Sequence, residues 1–401
     1  MDYLIPYGLE WANLLVRWLH LITGIAWIGA SFYFVWLDNS IRPPAPGSEL
    51  ARKGVSGELW AVHGGGFYNP QKYLVAPAAL PKELHWFKWE AYTTWLSGIS
   101  LLTIVYWCNA QAMMVDKAVY DLTSWQAIGI GFGSLVLGWT VYDLLCRSPL
   151  GKHDGALGLV MFGFLTGSAW LLSQFLSGRA AYIHVGAMIG TMMVGNVLML
   201  IIPGQRKLVA AMLAGQAPDP IHGIKAKQRS VHNNYFTLPV LFIMISNHYA
   251  MTYRHAQAWA VLAVIMAAGV LIRHFFNLRH KGRLAWQYPL AGAALLLGLA
   301  VYLAPPAPAK AAVVDPVQQF AQVEQIMRQR CVSCHAEHPS QPGFAQAPAG
   351  VVLSDATSIR QNAPRIYQQA VQLKAMPLAN LTQMSEAERA IVAAWFTSGA
   401  R

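Results

Sequence analysis

Charge is scarce in this sequence. Asp, Glu, Lys and Arg make up 12% of its 401 residues, against 55% hydrophobic residues. An ordinary soluble domain carries about twice that charged share, so the composition points to a membrane protein. Cysteine is scarce as well, with four in the chain. A cleavable signal peptide is not visible, because the N-terminus lacks a basic region and the first apolar stretch is too long for one. The Gly-rich run at Gly64-Gly65-Gly66 lacks the Lys-Ser/Thr of a phosphate-binding loop and reads as a flexible turn. Nucleic-acid motifs are missing too, so the net charge of +11 needs another explanation.

One short stretch carries strong chemistry, Cys331-Val332-Ser333-Cys334-His335. Cys-x-x-Cys-His is the attachment sequence of a c-type haem. Each thiol forms a thioether to a haem vinyl group, and the histidine falls under the iron as an axial ligand. A zinc half-site would need a second Cys/His pair, and His338 is the only later residue of that kind. The second axial ligand is expected at Met376, in Lys374-Ala375-Met376-Pro377, with Met384 as competitor. A His/Met pair raises the haem potential, which suits an electron acceptor. Haem attached in this way matures outside the cytoplasm, so the C-terminus is expected there.

Upstream, eight apolar segments are long enough to cross a hydrocarbon core that takes about 20 residues. They run approximately 12–37, 89–108, 124–146, 156–176, 181–203, 235–251, 257–276 and 285–304. The odd-numbered connections hold 16 Lys and Arg, and the even-numbered ones hold Lys117, Arg179 and Arg254 alone. Excess Lys and Arg mark the cytoplasmic side. The N-terminus then lies outside, and eight crossings return the C-terminus outside, in agreement with the haem argument. The basic balance is an orientation signal. Cys108 and Cys146 fall at opposite membrane faces, so no disulfide is expected between them.

The fold expected is all-α: a polytopic membrane helix bundle of about eight transmembrane helices plus a small class I cytochrome c domain. The boundaries are 1–304 for the membrane domain, 305–312 for a stiff Pro/Ala linker and 313–401 for the cytochrome domain. In the last of these, helices are expected near 316–330 and 357–373 and from Ser385, where Ser385-Glu386-Ala387-Glu388 forms a capping box. Ala390, Ile391, Ala394 and Trp395 give that last helix its apolar face. Two cytoplasmic connections, 38–88 with His63 and His85, and 204–234, are longer than a link needs.

Ionisable residues at membrane depth default to functional hypotheses. His20, His184 and His248 fall in the outer half, and His232, His274 and His63 towards the inner side. The sharp reading is ligation of a haem b or another metal at one or both depths. The plain reading is interfacial histidines bonded to carbonyls. Arg17, one turn before His20, could bind an anion or a propionate, or reach outward to water. Arg273, beside His274, is open in the same way.

Several stretches together resemble the membrane-bound bacterial urate hydroxylases. They are Arg17-Trp18-Leu19-His20 with Gly24-Ile25-Ala26-Trp27-Ile28-Gly29, the His63 loop, His232-Asn233-Asn234-Tyr235-Phe236-Thr237-Leu238-Pro239, and Ser246-Asn247-His248-Tyr249. The resemblance covers nearly the whole chain, and 230–249 is its most specific part. It implies urate oxidised to 5-hydroxyisourate, with electrons leaving through the cytochrome to a downstream cytochrome or terminal oxidase at the bacterial inner membrane. It carries no established catalytic residues, so His20, Arg17 and His248 stand as candidates on chemistry alone. A neutral histidine suits a base near pH 7. The alternative is a non-catalytic subunit that passes electrons from a quinol or a partner dehydrogenase to the cytochrome. The oligomeric state is left open.

Overall fold

The structure, a computed structural model, describes residues 4–304 and 316–400. The linker expected at 305–312 and the first residues of the domain expected at 313 lie outside the described residues.

All eight apolar segments are helical. The helices are α1 (Leu4–Ser40), α2 (Trp89–Leu101, continuing as a π-helix over Leu102–Trp107), α3 (Ser124–Arg147) and α4 (Asp154–Ser173). Then come α5 (Gly178–Gly195, continued by a π-helix over Asn196–Ile201 and a further helix over Ile202–Leu213), α6 (Pro220–Ile245), α7 (Ala258–His280) and α8 (Gln287–Tyr302). Among the described residues, five helical runs are both long and apolar enough to cross a membrane: α1, α3, α4, α5 with its extension, and α7. The expected set of eight includes three more segments that are shorter or more polar.

The bundle is organised around α5, whose His184, Val185, Ile189 and Met192 are fully buried. Small residues let its neighbours approach. A Cβ at Gly195 would meet the Trp139 ring, one at Gly186 would meet Ile243, and one at Gly131 would meet the His184 ring. On α3, Gly131 and Gly138 are therefore packing positions against α5, whereas Gly129 and Gly133 face outward.

The connection at 38–88 is built rather than loose. It holds two antiparallel strand pairs, β1 (Val55–Glu58) with β4 (Gln71–Tyr73), and β2 (Ala61–His63) with β3 (Gly66–Tyr68). Gly64 and Gly65 both take positive φ between β2 and β3, which is the two-residue hairpin turn that favours glycine. The expected 204–234 connection is mostly helix, because α5 extends to Leu213 and α6 begins at Pro220. Asp219 caps α6 by accepting the Ile221 N–H at 2.9 Å, and Pro220 takes the first helical position, where its missing donor costs nothing. Arg229, His232, Asn233 and Asn234 therefore stand on a helix instead of in a loop.

The carboxyl-terminal domain packs α9 (Pro316–Arg330) against α10 (Glu386–Thr397) around Phe320, Val323, Met327, Ile366, Val392 and Trp395. The capping box forms, with Ser385 N–H donating to Glu388 Oε2 at 2.6 Å and Glu388 N–H to Ser385 Oγ at 3.2 Å. The buried face of α10 is Arg389, Val392 and Trp395, and Ala390 of the expected face is exposed. The expected 357–373 helix is broken into Ala356–Gln361, Ala363–Ile366 and a π-helical turn over Tyr367–Gln372. Pro364 has no N–H to continue the first piece.

This domain sits on one end of the bundle. Ala375 is part of the bundle's own core and Leu373 packs against it. Gly343, at φ +92°, backs onto Asn109, where a Cβ would come within 3.2 Å of the amide. The docked end is formed by the connections around 109–123, 174–178 and 246–257. Ser177 donates its N–H to Met114 O at 2.8 Å there, and Tyr182 OH donates to Thr252 O at 3.0 Å. These connections carry Lys117 and Arg254, and Arg179 stands in the first turn of α5 beside them. At the opposite end Lys227 pairs with Asp38 at 3.0 Å and Gln228 bonds Asp154 at 2.7 Å.

Candidate functional site

Cys331 follows directly on α9 and caps the short turn Val332–His335, so the two thiols and the imidazole share a single bend of chain. His335 Nδ1 lies 2.8 Å from Val351 O. A carbonyl only accepts, so Nδ1 carries the proton and Nε2 is left to bind a metal. This is the outer support that ligating histidines usually have. Burial pushes the Cys331 thiol up to about 12 and raises Cys334 as well. A desolvated pocket that disfavours thiolate suits the neutral sulfur of a thioether. The residues present therefore fit a covalent haem.

The two methionines separate clearly. Met384 is buried in the domain core, whereas Met376 is part-exposed on the loop that docks against the bundle. Arg389 fixes that loop: it donates to Met376 O at 2.8 Å and to Asn380 Oδ1 at 3.3 Å, and it also donates to Ala370 O. On the reading that Cys331–His335 hold haem c, Met376→Ala is expected to lower the haem potential, read by redox titration of the c-type band, with little change in stability. Met384→Ala is expected to cost about 2–5 kcal/mol of domain stability as a core truncation. The reverse pattern would reassign the ligand.

At the seam, Leu378 of the same loop lines a cavity of about 350 Å³ with Met113, Asp116, Arg179, Tyr253 and Arg254 of the bundle. Arg179 donates to Tyr253 OH at 3.0 Å. The Met376 loop thus lies against a part of the bundle that carries Arg179, Arg254 and Asp116.

The membrane-depth histidines are dispersed. His20 Nδ1 donates to Thr94 O of α2 at 2.9 Å. His184 is fully buried, with Nδ1 donating to Ala180 O at 2.8 Å and Nε2 accepting from Trp107 Nε1 at 3.3 Å. His248 is exposed beside Asn247, which accepts a bond from Tyr106 OH at 2.8 Å. Tyr106 also lies edge-on to His184, with ring centroids 6.3 Å apart. His232 meets Tyr142 OH at 2.9 Å through Nδ1 and Asp154 at 3.6 Å through Nε2. His274 meets Tyr235 OH at 2.7 Å, and His63 is exposed on the hairpin. Among the described residues no group of three or more His, Cys, Asp or Glu gathers as a metal cluster, so the outer trio does not converge on one point. His184 and His232 have both ring nitrogens engaged. His20 has the carbonyl-supported Nδ1 seen at His335. Arg17 is exposed and bonds Asn13 one turn back, at 2.9 Å.

Two buried arginines on the far half were not resolved by sequence reasoning. Arg229 donates to Asp143 at 2.8 Å and to Asn196 Oδ1 at 3.1 Å, and lies 4.9 Å from the Tyr142 ring centroid. Asn196 in turn donates to Tyr142 OH and Asn233 Oδ1, both at 2.8 Å. Asn196 opens the π-helical turn of α5, and Trp107, which meets His184, closes that of α2. Both π turns thus present a polar side chain to the interior, where such turns frequently serve function. The second arginine, Arg273, donates from Nε to Asn234 Oδ1 at 2.9 Å.

Comparison with known protein families matches the urate oxidase N-terminal family over residues 6–304. The chain belongs to that family. The match covers α1 to α8, including the hairpins of 38–88, both buried arginines and every membrane-depth histidine. It stops where the described bundle stops, so the domain with Cys331–His335 lies beyond the family region. Membership makes this a urate-related protein with an oxidoreductase character, built on helices several of which could span a membrane. No curated protein and no solved structure matches the chain.

Proposed function

We propose that the chain is a membrane-bound urate hydroxylase. Urate and water give 5-hydroxyisourate, two protons and two electrons, and the electrons leave through the carboxyl-terminal domain to a one-electron acceptor such as a downstream cytochrome or terminal oxidase. The observation that carries this reading is the joining, in one chain, of a urate oxidase family region to a Cys-x-x-Cys-His domain docked by its Met376 loop.

Cys331 and Cys334 would hold haem c covalently, with His335 and Met376 as the residues that would bind its iron. Bound haem c supplies a one-electron acceptor, so a two-electron oxidation needs two successive transfers out of the bundle. The protein's residues do the rest. His335 keeps its Nδ1 proton on Val351 O, Arg389 fixes the Met376 loop, and Ala375 seats that loop on the bundle. A further haem b or metal would fall to histidines with Nε2 unengaged, among which His20 is the best supported. A pyridine haemochrome spectrum decides that point, since a c-type signal alone removes the second group.

Eight crossings of the bacterial inner membrane, with the N-terminus and the cytochrome domain on the periplasmic side, complete the proposal. The docked end carries three basic residues, against 16 on the connections of the opposite end. Turnover in ¹⁸O-labelled water tests the chemistry. Label in the 5-hydroxy group is expected. Label entering only from ¹⁸O₂ would overturn the scheme in favour of direct oxygen use.

A further inference from the structure

The far half of the bundle holds two buried arginines with opposite surroundings. Arg229 has a carboxylate partner in Asp143. Arg273, 5% exposed, forms no ion pair among the described residues. A buried cation without a counter-charge costs several kcal/mol, so such groups are normally paired. Buried polar atoms in general find hydrogen-bond partners, and exceptions ask for an explanation.

Here the exceptions cluster. Asn234 Oδ1 accepts from both Arg273 Nε and Asn277 Nδ2, each at 2.9 Å. That leaves Asn234 Nδ2, Arg273 Nη2 and Asn277 Oδ1 buried without a partner, and His280 Nδ1 one turn further along α7 as well. Among the described residues, only two other buried side-chain atoms, on Glu90 and Thr166, share that state. Arg273 Cζ lies 4.0 Å over the centroid of the Phe32 ring of α1. The group therefore offers a positive donor, a neutral donor and a neutral acceptor, backed by an aromatic face, where α1, α6 and α7 meet.

We infer that Arg273, Asn234 and Asn277 form the binding site for the substrate, a planar heterocyclic anion whose edge alternates carbonyl oxygens and ring N–H groups. This inference rests on the urate reading and deepens it. Urate is an anion at neutral pH. Its carbonyl oxygens can accept from Arg273 Nη2 and Asn234 Nδ2, and a ring N–H can donate to Asn277 Oδ1. The site also gives a role to Asn234, which lies within the family region. Arg273 lies 15 residues along α7 from Ala258, roughly 22 Å of helix. Substrate would thus be held in the half of the bundle away from the docked domain, and electrons would cross the depth at which His20 and His184 sit. Arg17, exposed and bonded to Asn13, and His248, exposed at the helix end beside the docked connections, are not part of this group.

The test uses the full-length holoprotein in nanodiscs. Radiolabelled urate is titrated anaerobically with the haem already reduced by dithionite, so that binding is read without turnover. Two variants are compared with the wild type. Arg273→Gln removes the charge. Asn277→Asp supplies Arg273 with an internal counter-ion, which favours folding and opposes an anion. Each is expected to weaken the urate Kd by about 30-fold or more, the effect of losing a charged hydrogen bond, and to raise KM by a similar factor. Covalent haem content and the reduced spectrum stay unchanged. Wild-type Kd in either folded variant overturns the site, while urate oxidation by the wild type leaves the functional reading standing. A wild type that shows no urate binding and no urate oxidation overturns that reading itself.

Discussion

Replacing both Cys331 and Cys334 with alanine brings urate-dependent electron transfer down to the background rate while the membrane region keeps its fold. On the proposed reading the two thiols are the covalent tether of haem c, and His335 alone cannot replace two thioethers. The loss is confined to the carboxyl-terminal domain because only Ala375 and Leu373 of that domain enter the bundle's core cluster. Urate binding by the double variant should therefore stay close to the wild-type level, since Asn234, Arg273 and Asn277 lie at the far half of the bundle. Haem staining after denaturing electrophoresis checks the loss of covalent haem, and urate consumption with an added one-electron acceptor checks the loss of turnover. Full urate consumption by a variant without covalent haem would show that the docked domain is not the electron exit.

Arg229→Ala carries the second large effect, on stability. Arg229 is 3% exposed and joins α6 to α3 through Asp143 and to α5 through Asn196. Removing it leaves Asn196 Oδ1 without its donor and deprives Asp143 of its buried partner. Breaking such a pair from one side costs about 3–5 kcal/mol, because a desolvated charge is left uncompensated. Arg147 still bonds Asp143 at 2.6 Å from its exposed side, so the lower end of that range is expected. Pairing Arg229→Met with Asp143→Asn removes both charges and should stand nearer to wild type than Arg229→Ala. Thermal unfolding of the three purified proteins checks the order. If Arg229→Ala unfolds at the wild-type temperature, the network contributes nothing.

What was legible in the sequence was mostly local. Cys331–His335 was readable as a motif, and the fold adds to it the bond from His335 to Val351 O. The apolar runs were legible by their length, since about 20 continuous apolar residues are enough for a helix that satisfies its own backbone across a hydrocarbon core. Asp219-Pro220 was a readable start signal, yet the surrounding charges made 204–234 look like a connection. Pro364 was an equally readable break inside the expected 357–373 helix.

The far-half chemistry was not legible because its partners are remote in the chain. Arg229 and Asp143 are 86 positions apart, and Asn234 is 39 from Arg273 and 43 from Asn277. Only the folded register of α3, α6 and α7 reveals that one arginine is neutralised and the other is not. The histidines misled for the same reason. Depth in a helix can be counted along the sequence, but rotation about the helix cannot. His184 turns into the core against Trp107, whereas His248 stands exposed at a helix end.

The most direct measurement is an anaerobic titration of the oxidised, purified protein with urate, followed in the absorption bands of the c-type haem. The account predicts that each urate consumed reduces two equivalents of covalent haem and yields 5-hydroxyisourate in the same ratio. Urate that leaves the haem oxidised without oxygen, while a quinol reduces it, would contradict the account and leave an electron-transfer subunit in its place.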